Sequence, residues 1–117
     1  KGDVMLIYKI IPADLWNEAV AQGVFKGAPV DHQDGFIHFS TAAQVEETAR
    51  KHFHGQRDLL LISVEDQDLG PALRYEPSRG GALFPHLYAP LPVSLAKHVT
   101  ALPVNEDGTH QFETLLP

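Results

Sequence analysis

A chain of 117 residues has room for one hydrophobic core, and its 44% hydrophobic and 21% charged residues exclude the disordered, collagenous and coiled-coil classes. The formal charge of -6 gives no overall basic field for an extended nucleic-acid surface, and the absence of cysteine excludes a disulfide framework, a thiol nucleophile and a cysteine zinc site. The one apolar N-terminal run, Val4 to Ile11, is broken by Lys9 and is too short for a membrane span or a signal peptide, so the expected setting is the cytoplasm.

That run is rich in strand formers and stops at Pro12, which cannot donate to a sheet but suits the first turn of a helix. From Ala13 to Gln22, Leu15, Trp16, Ala19 and Val20 recur at helical spacing, and Gly23 stands where a helix would end. Residues 24 to 35 carry Gly27, Pro29 and the polar set Asp31-His32-Gln33-Asp34, and read as a long surface loop.

The next stretch, GFIHFST, reads as a single strand. Alternation sends Ile37 and Phe39 to one face and Phe36, His38 and Ser40 to the other. The second face is either a further buried layer holding a hydrogen-bonded histidine or the floor of a cleft. Thr41-Ala42-Ala43-Gln44 fits a capping box, so a helix is expected over residues 42 to 54, with Val45, Ala49 and Phe53 turned inward and Gly55 at its end.

DLLLISVE, residues 58 to 65, is a nearly continuous apolar run of the kind found in a strand covered on both faces, and is expected at the centre of the sheet. From Leu69 onward prolines and glycines interrupt aromatic and charged residues, which predicts short strands and turns. A strand is expected within residues 96 to 104. An edge strand over residues 111 to 116 should follow the Asn105-Glu106-Asp107-Gly108 turn. The order strand, helix, strand, helix, then mainly strands predicts one α+β domain: two main helices on a bent, mostly antiparallel sheet.

Seven histidines raise the question of a metal, but His52 and His54 are two apart at a helix end, and the others have no paired ligand spacing. No metal site is expected. Arg74 and Arg79 flank Tyr75, Glu76 and Ser78 and precede Gly80 and Gly81, a combination that suits a carboxylate or phosphate and equally suits a solvated turn. His86 and Tyr88 share one face of the extended segment that follows, either framing a ligand ring or making an ordinary aromatic contact. The signatures of serine hydrolases, P-loop proteins, Rossmann folds and zincins are absent. The residues alone point to a small cleft for a polar, anionic ligand, and such a ligand requires Lys9, Arg74 or Arg79 to reverse the surface charge locally.

LIYKI, the helix with Trp16 and Gly23, GFIHFST, DLLLISVE, LRYE and FPHLYAPL together resemble the bacterial family called domain of unknown function 952. That family is similar to a compact form of the ADP-ribosyltransferase fold, which includes RNA 2'-phosphotransferases; Tyr8, Trp16, Gly23 and Ile37-His38 follow the phosphotransferase pattern, with Lys9 where active relatives carry histidine or arginine. The resemblance implies a split, bent sheet around a cleft for NAD or an ADP-ribose-like group. His38 and Lys9 would meet ribose or phosphate, Tyr88 or Tyr75 would stack on a ring, and Glu76 would polarise a ribose hydroxyl. Tyr8, Ser40, Arg74, Arg79 and His86 complete the implied ligand set, His38 and Glu76 being its catalytic members. The alternative is a non-catalytic module that keeps the cleft for a small ligand or a partner peptide.

Overall fold

The computed structural model describes residues 5–117, with the Arg79 side chain outside the described set. The first strand, β1 (Leu6–Pro12), runs directly into α1 (Ala13–Gln22), which Gly23 ends at φ 85° with its N–H on the Ala19 carbonyl. A left-handed residue at that position costs glycine little, which is why the helix stops there. Leu15, Trp16 and Ala19 pack inward as their spacing predicts, whereas Val20 is exposed.

Residues 24 to 35 are not the long loop their composition predicts. They form β2 (Val24–Phe25) and a six-residue helix, α2 (Pro29–Asp34), which starts on a proline and is capped when the Ala28 N–H donates to Asp31 Oδ2 at 2.8 Å. So short a helix has no room for an apolar period, and its polar residues mimic loop composition.

GFIHFST also departs from the single strand expected of it. It is two short strands, β3 (Ile37–His38) and β4 (Ser40–Thr41), separated at Phe39. Ile37 and His38 pair with Leu87 and His86, Phe39 N–H donates to the Pro85 carbonyl at 3.0 Å, and Ser40 and Thr41 pair with Tyr8 and Ile7. The segment crosses from one sheet to another, so strict alternation fails after Phe39: Ser40 is buried beside Thr48, with their hydroxyls 3.1 Å apart. At the start of α3 (Ala42–His52), the Gln44 amide oxygen accepts the Thr41 N–H at 3.0 Å, as a capping residue should. Its amide nitrogen reaches the Leu83 carbonyl at 2.8 Å.

Four antiparallel strands make the larger sheet in the order β4-β1-β5-β9, where β5 is Leu59–Glu65 and β9 is His98–Leu102. As its apolar run predicts, β5 is central. Ile62 and Val64 face the core cluster containing Trp16, Phe25, Ile37, Phe39 and Leu87, while Leu59 and Leu61 face a second cluster with Val45, Ala49 and Phe112. Burying side chains of this size stabilises the fold by about 1.5–3 kcal/mol each.

A separate three-stranded sheet has the order β3-β7-β6, from β6 (Leu73–Pro77) and β7 (Leu83–Leu87), and β2 pairs with β8 (Leu91–Pro92). The molecule is thus α+β with antiparallel sheets, and the polypeptide itself crosses between the two main ones at Phe39. The expected edge strand over residues 111–116 does not form. Gln111 N–H bonds the Pro103 carbonyl and Leu115 N–H bonds the Phe112 carbonyl, so the segment turns and inserts Phe112 into the second cluster in place of pairing.

Candidate functional site

The seam between the two sheets opens into a cleft of ≈ 700 Å³. Lys9, Asp34, His38, His52 and His86 supply ionisable or imidazole groups to its wall, and Tyr8, Val30, Phe39, Phe53 and Phe84 supply apolar surface. The cleft follows from the crossing at Phe39: β4 pairs with Ile7 and Tyr8 only, and the chain before it leaves β1 to join the other sheet.

At the base of this seam lies Asp31, 2% exposed. Its carboxylate accepts from the Ala28 N–H (2.8 Å), the His38 N–H (3.1 Å) and the Lys9 ammonium (3.2 Å to Oδ2), and lies 2.6 Å from His38 Nδ1. Burial alone would raise its pKa. The hydrogen bond from His38, the Lys9 charge and the two backbone donors outweigh burial and hold the carboxyl at about 2. A carboxylate so held only accepts, which places a proton on His38 Nδ1.

Lys9, 7% exposed, also donates to the His38 carbonyl at 2.9 Å. Burial pushes its ammonium pKa down, and Asp31 opposes that shift. The other imidazole nitrogen, Nε2, is 2.8 Å from Asp34 Oδ2, and a hydrogen bond there needs a proton on one of the two groups. Both flanking carboxylates come from α2, and His38 itself is 31% exposed at the cleft. His38 is thus partly accessible, beside Lys9 and His86.

A second carboxylate and imidazole lie across the strand pair. His38 and His86 are directly opposed in register, their ring centroids 5.7 Å apart. His86 Nδ1 is 2.8 Å from Glu76 Oε1, which also accepts the Tyr88 hydroxyl at 2.7 Å. Those hydrogen bonds lower the Glu76 pKa, and the same carboxylate raises that of Tyr88. Phe36 stacks on His86 at 4.0 Å and lies 4.6 Å from His38 and 5.3 Å from Tyr88, so it spaces the two imidazoles.

Of the residues singled out in the sequence, Tyr8, Lys9, His38, Ser40 and His86 line the cleft. Tyr8 is buried, which raises its phenol pKa. Glu76 and Tyr88 stand behind His86 rather than on the cleft wall. The basic residues do not gather as an anionic ligand would require: Lys9 is matched by Asp31, and the Arg74 guanidinium lies 5.2 Å from the Tyr88 ring centroid and off the cleft lining. The Arg79 side chain lies outside the described residues. Tyr75, with its hydroxyl 2.9 Å from Asp66 Oδ2, is pushed up to about 12 by burial and that bond, and it does not line the cleft either.

Sequence reasoning missed Asp31, Asp34 and Phe36 as site residues. The Asp34 to His38 spacing was the only local signal, and the loop reading of residues 24 to 35 concealed it. Among the described residues no group of three or more histidine, cysteine, aspartate or glutamate side chains is arranged to hold a metal ion, and no helix is long and apolar enough to cross a membrane.

Residues 10–99 match the model of the family described as protein of unknown function, DUF952. The chain belongs to the DUF952 family. The crystal structure of protein CC0527 from Caulobacter crescentus is 50% identical to this DUF952 protein, with a TM-score of 0.89 over 92% of this chain and 94% of that one. The solution structure of CC0527 is 50% identical, with a TM-score of 0.84 over 92% of each chain, and a double mutant of CC0527 is 48% identical with a TM-score of 0.89 over 92% of this chain and 94% of that one. No curated protein matches.

Proposed function

We propose that the seam cleft binds the ribosyl portion of an NAD- or ADP-ribose-type molecule and that His38 meets its hydroxyls. The observation that carries this reading is the pair of opposed imidazoles, His38 and His86, each held by a carboxylate on the wall of a cleft of ≈ 700 Å³. Sugar hydroxyls both donate and accept, which suits an imidazole beside the Asp34 carboxylate, while Val30, Phe39 and Phe84 offer apolar surface to a ring. The ligand class comes from the likeness of Tyr8, Trp16, Gly23 and Ile37-His38 to ADP-ribosyltransferases, and a cleft between two sheets is the site that likeness implies.

In the catalytic form of this reading, the carboxylate of Asp34 stabilises positive charge developing on the sugar. Glu76 then acts through His86, as a positioning residue. A non-catalytic binding role is the second reading, favoured because Glu76 is tied to His86 and Tyr88 and Lys9 is tied to Asp31. The cytoplasm, where such ligands are abundant, is the setting proposed for either role.

The test is thermal unfolding of the wild type and of His38→Ala with NAD, ADP-ribose and nicotinamide riboside. Binding to the folded state raises the apparent stability of the wild type by mass action, and the rise should disappear in His38→Ala. No rise with any of the three ligands defeats the reading. Release of nicotinamide from NAD then separates catalysis from binding alone.

A further inference from the structure

We propose that His38 takes a proton through Nε2 from the water or hydroxyl that attacks the ribosyl group, and that Asp31 is the positioning residue that keeps the ring turned for it. The inference rests on the catalytic form of the ribosyl reading above and adds the group that carries the proton.

The two edges of the His38 ring differ in kind. On Nδ1 stands Asp31, 2% exposed and off the cleft lining, whose carboxylate also accepts the His38 backbone N–H at 3.1 Å. One side chain therefore grips the residue at backbone and ring together, and the Lys9 ammonium fixes the His38 carbonyl at 2.9 Å. That edge is closed to a ligand. On Nε2 stands Asp34, 41% exposed and on the cleft wall. A pair so open yields to water or to a ligand hydroxyl at little cost, so Nε2 is the nitrogen that the cleft reaches.

Once a hydroxyl takes the place of Asp34 and the proton shared there has gone to solvent, the ring keeps its Nδ1 proton on Asp31 and offers the Nε2 lone pair as a base. The oxygen of the water or hydroxyl then bonds to the anomeric carbon as the glycosidic C–N bond breaks. The electron pair of that bond stays on the nicotinamide ring nitrogen, and the proton of the attacking oxygen passes to Nε2 and from there to solvent. His86 is less well placed for this role. It too is held by a carboxylate, but it is only 4% exposed and Phe36 stacks on its ring at 4.0 Å.

Two measurements test this on the wild type, on Lys9→Met and on the double variant Lys9→Met with Asp31→Asn, which keeps an amide at position 31 and leaves no lone buried charge. The first is nitrogen NMR of the isotope-labelled protein without ligand. Neutral His38 should carry its proton on Nδ1 in the wild type and in Lys9→Met, and the double variant should lose that preference because an amide can donate as well as accept. The second is nicotinamide release from NAD: kcat should fall at least about a hundredfold from Lys9→Met to the double variant, the scale of a lost general base, with KM little changed. A wild-type His38 that carries its proton on Nε2 overturns the inference, even if the double variant does not fold, and so does an unchanged kcat in the double variant. Thermal stabilisation of the wild type by NAD without release of nicotinamide also overturns it, while leaving the binding reading intact. Neither binding nor release removes the ribosyl reading and the inference together.

Discussion

Two carboxylates hold two imidazoles on the facing strands of one pair, and the bonds are nearly alike, 2.6 Å at Asp31 to His38 and 2.8 Å at Glu76 to His86. Their surroundings are not. Asp31 is 2% exposed and gathers donors from three positions in the sequence, Lys9, Ala28 and His38; Glu76 is 32% exposed and serves His86 and the Tyr88 hydroxyl. In the first pair the imidazole is the more open partner, and in the second it is the carboxylate. A buried charge must stay paired because water cannot replace a lost partner, while an exposed one falls back on solvent. Equal bond lengths therefore conceal unequal contributions: the Asp31 cluster ties β1, α2 and β3 together, and the Glu76 pair orients one ring.

The largest test of that contrast is Asp31→Asn. It leaves the Lys9 ammonium buried without its counter-charge, and urea unfolding should show a loss of about 3–5 kcal/mol. Combining it with Lys9→Met should cost less than the sum of the two single changes, since the double variant leaves no lone buried charge.

His38→Ala should remove about 1.5–3 kcal/mol by the same measurement, the range for a hydrogen bond to a charged group. That loss is smaller because Asp31 retains Lys9 and the Ala28 N–H.

Acid provides a third comparison. The Asp31 pKa is depressed from 3.8 to about 2, so its contribution, about 2 kcal/mol, is fully present above pH 4 and is lost as pH falls through about 2. Urea midpoints measured across that window should fall in the wild type, and the part of the fall due to Asp31 should be absent from Asp31→Asn.

Smallest of all should be Glu76→Gln. Its partly exposed carboxylate gives way to an amide that can still accept from Tyr88, and the urea midpoint should not move measurably. A loss comparable to that of Asp31→Asn would show that exposure does not separate the two pairs.

Much of the fold was legible in local sequence. Leu15, Trp16 and Ala19 with Gly23 gave the limits of α1, Val45 and Ala49 gave the inward face of α3, and the run from Leu59 to Val64 gave a central strand, because each depends on a repeating pattern long enough to distinguish helix from strand. Short elements were not legible. The six residues of α2 hold less than two helical turns, and residues 111–116 have strand-like composition but satisfy their backbone in turns while Phe112 fills the core.

By itself, then, the sequence determined the main helices, the central strand and the placing of Ile37 and Phe39 opposite His38, because backbone periodicity acts over a few neighbouring residues. Only the tertiary structure decided the site. It broke GFIHFST at Phe39 so that its halves joined different sheets, brought Asp31 onto Lys9 across 22 positions, and set His38 opposite His86. It also joined Lys9 to Asp31 and left Asp34 at the cleft. Pairings of this kind depend on which partner is near when water is excluded, and no spacing along the chain records that.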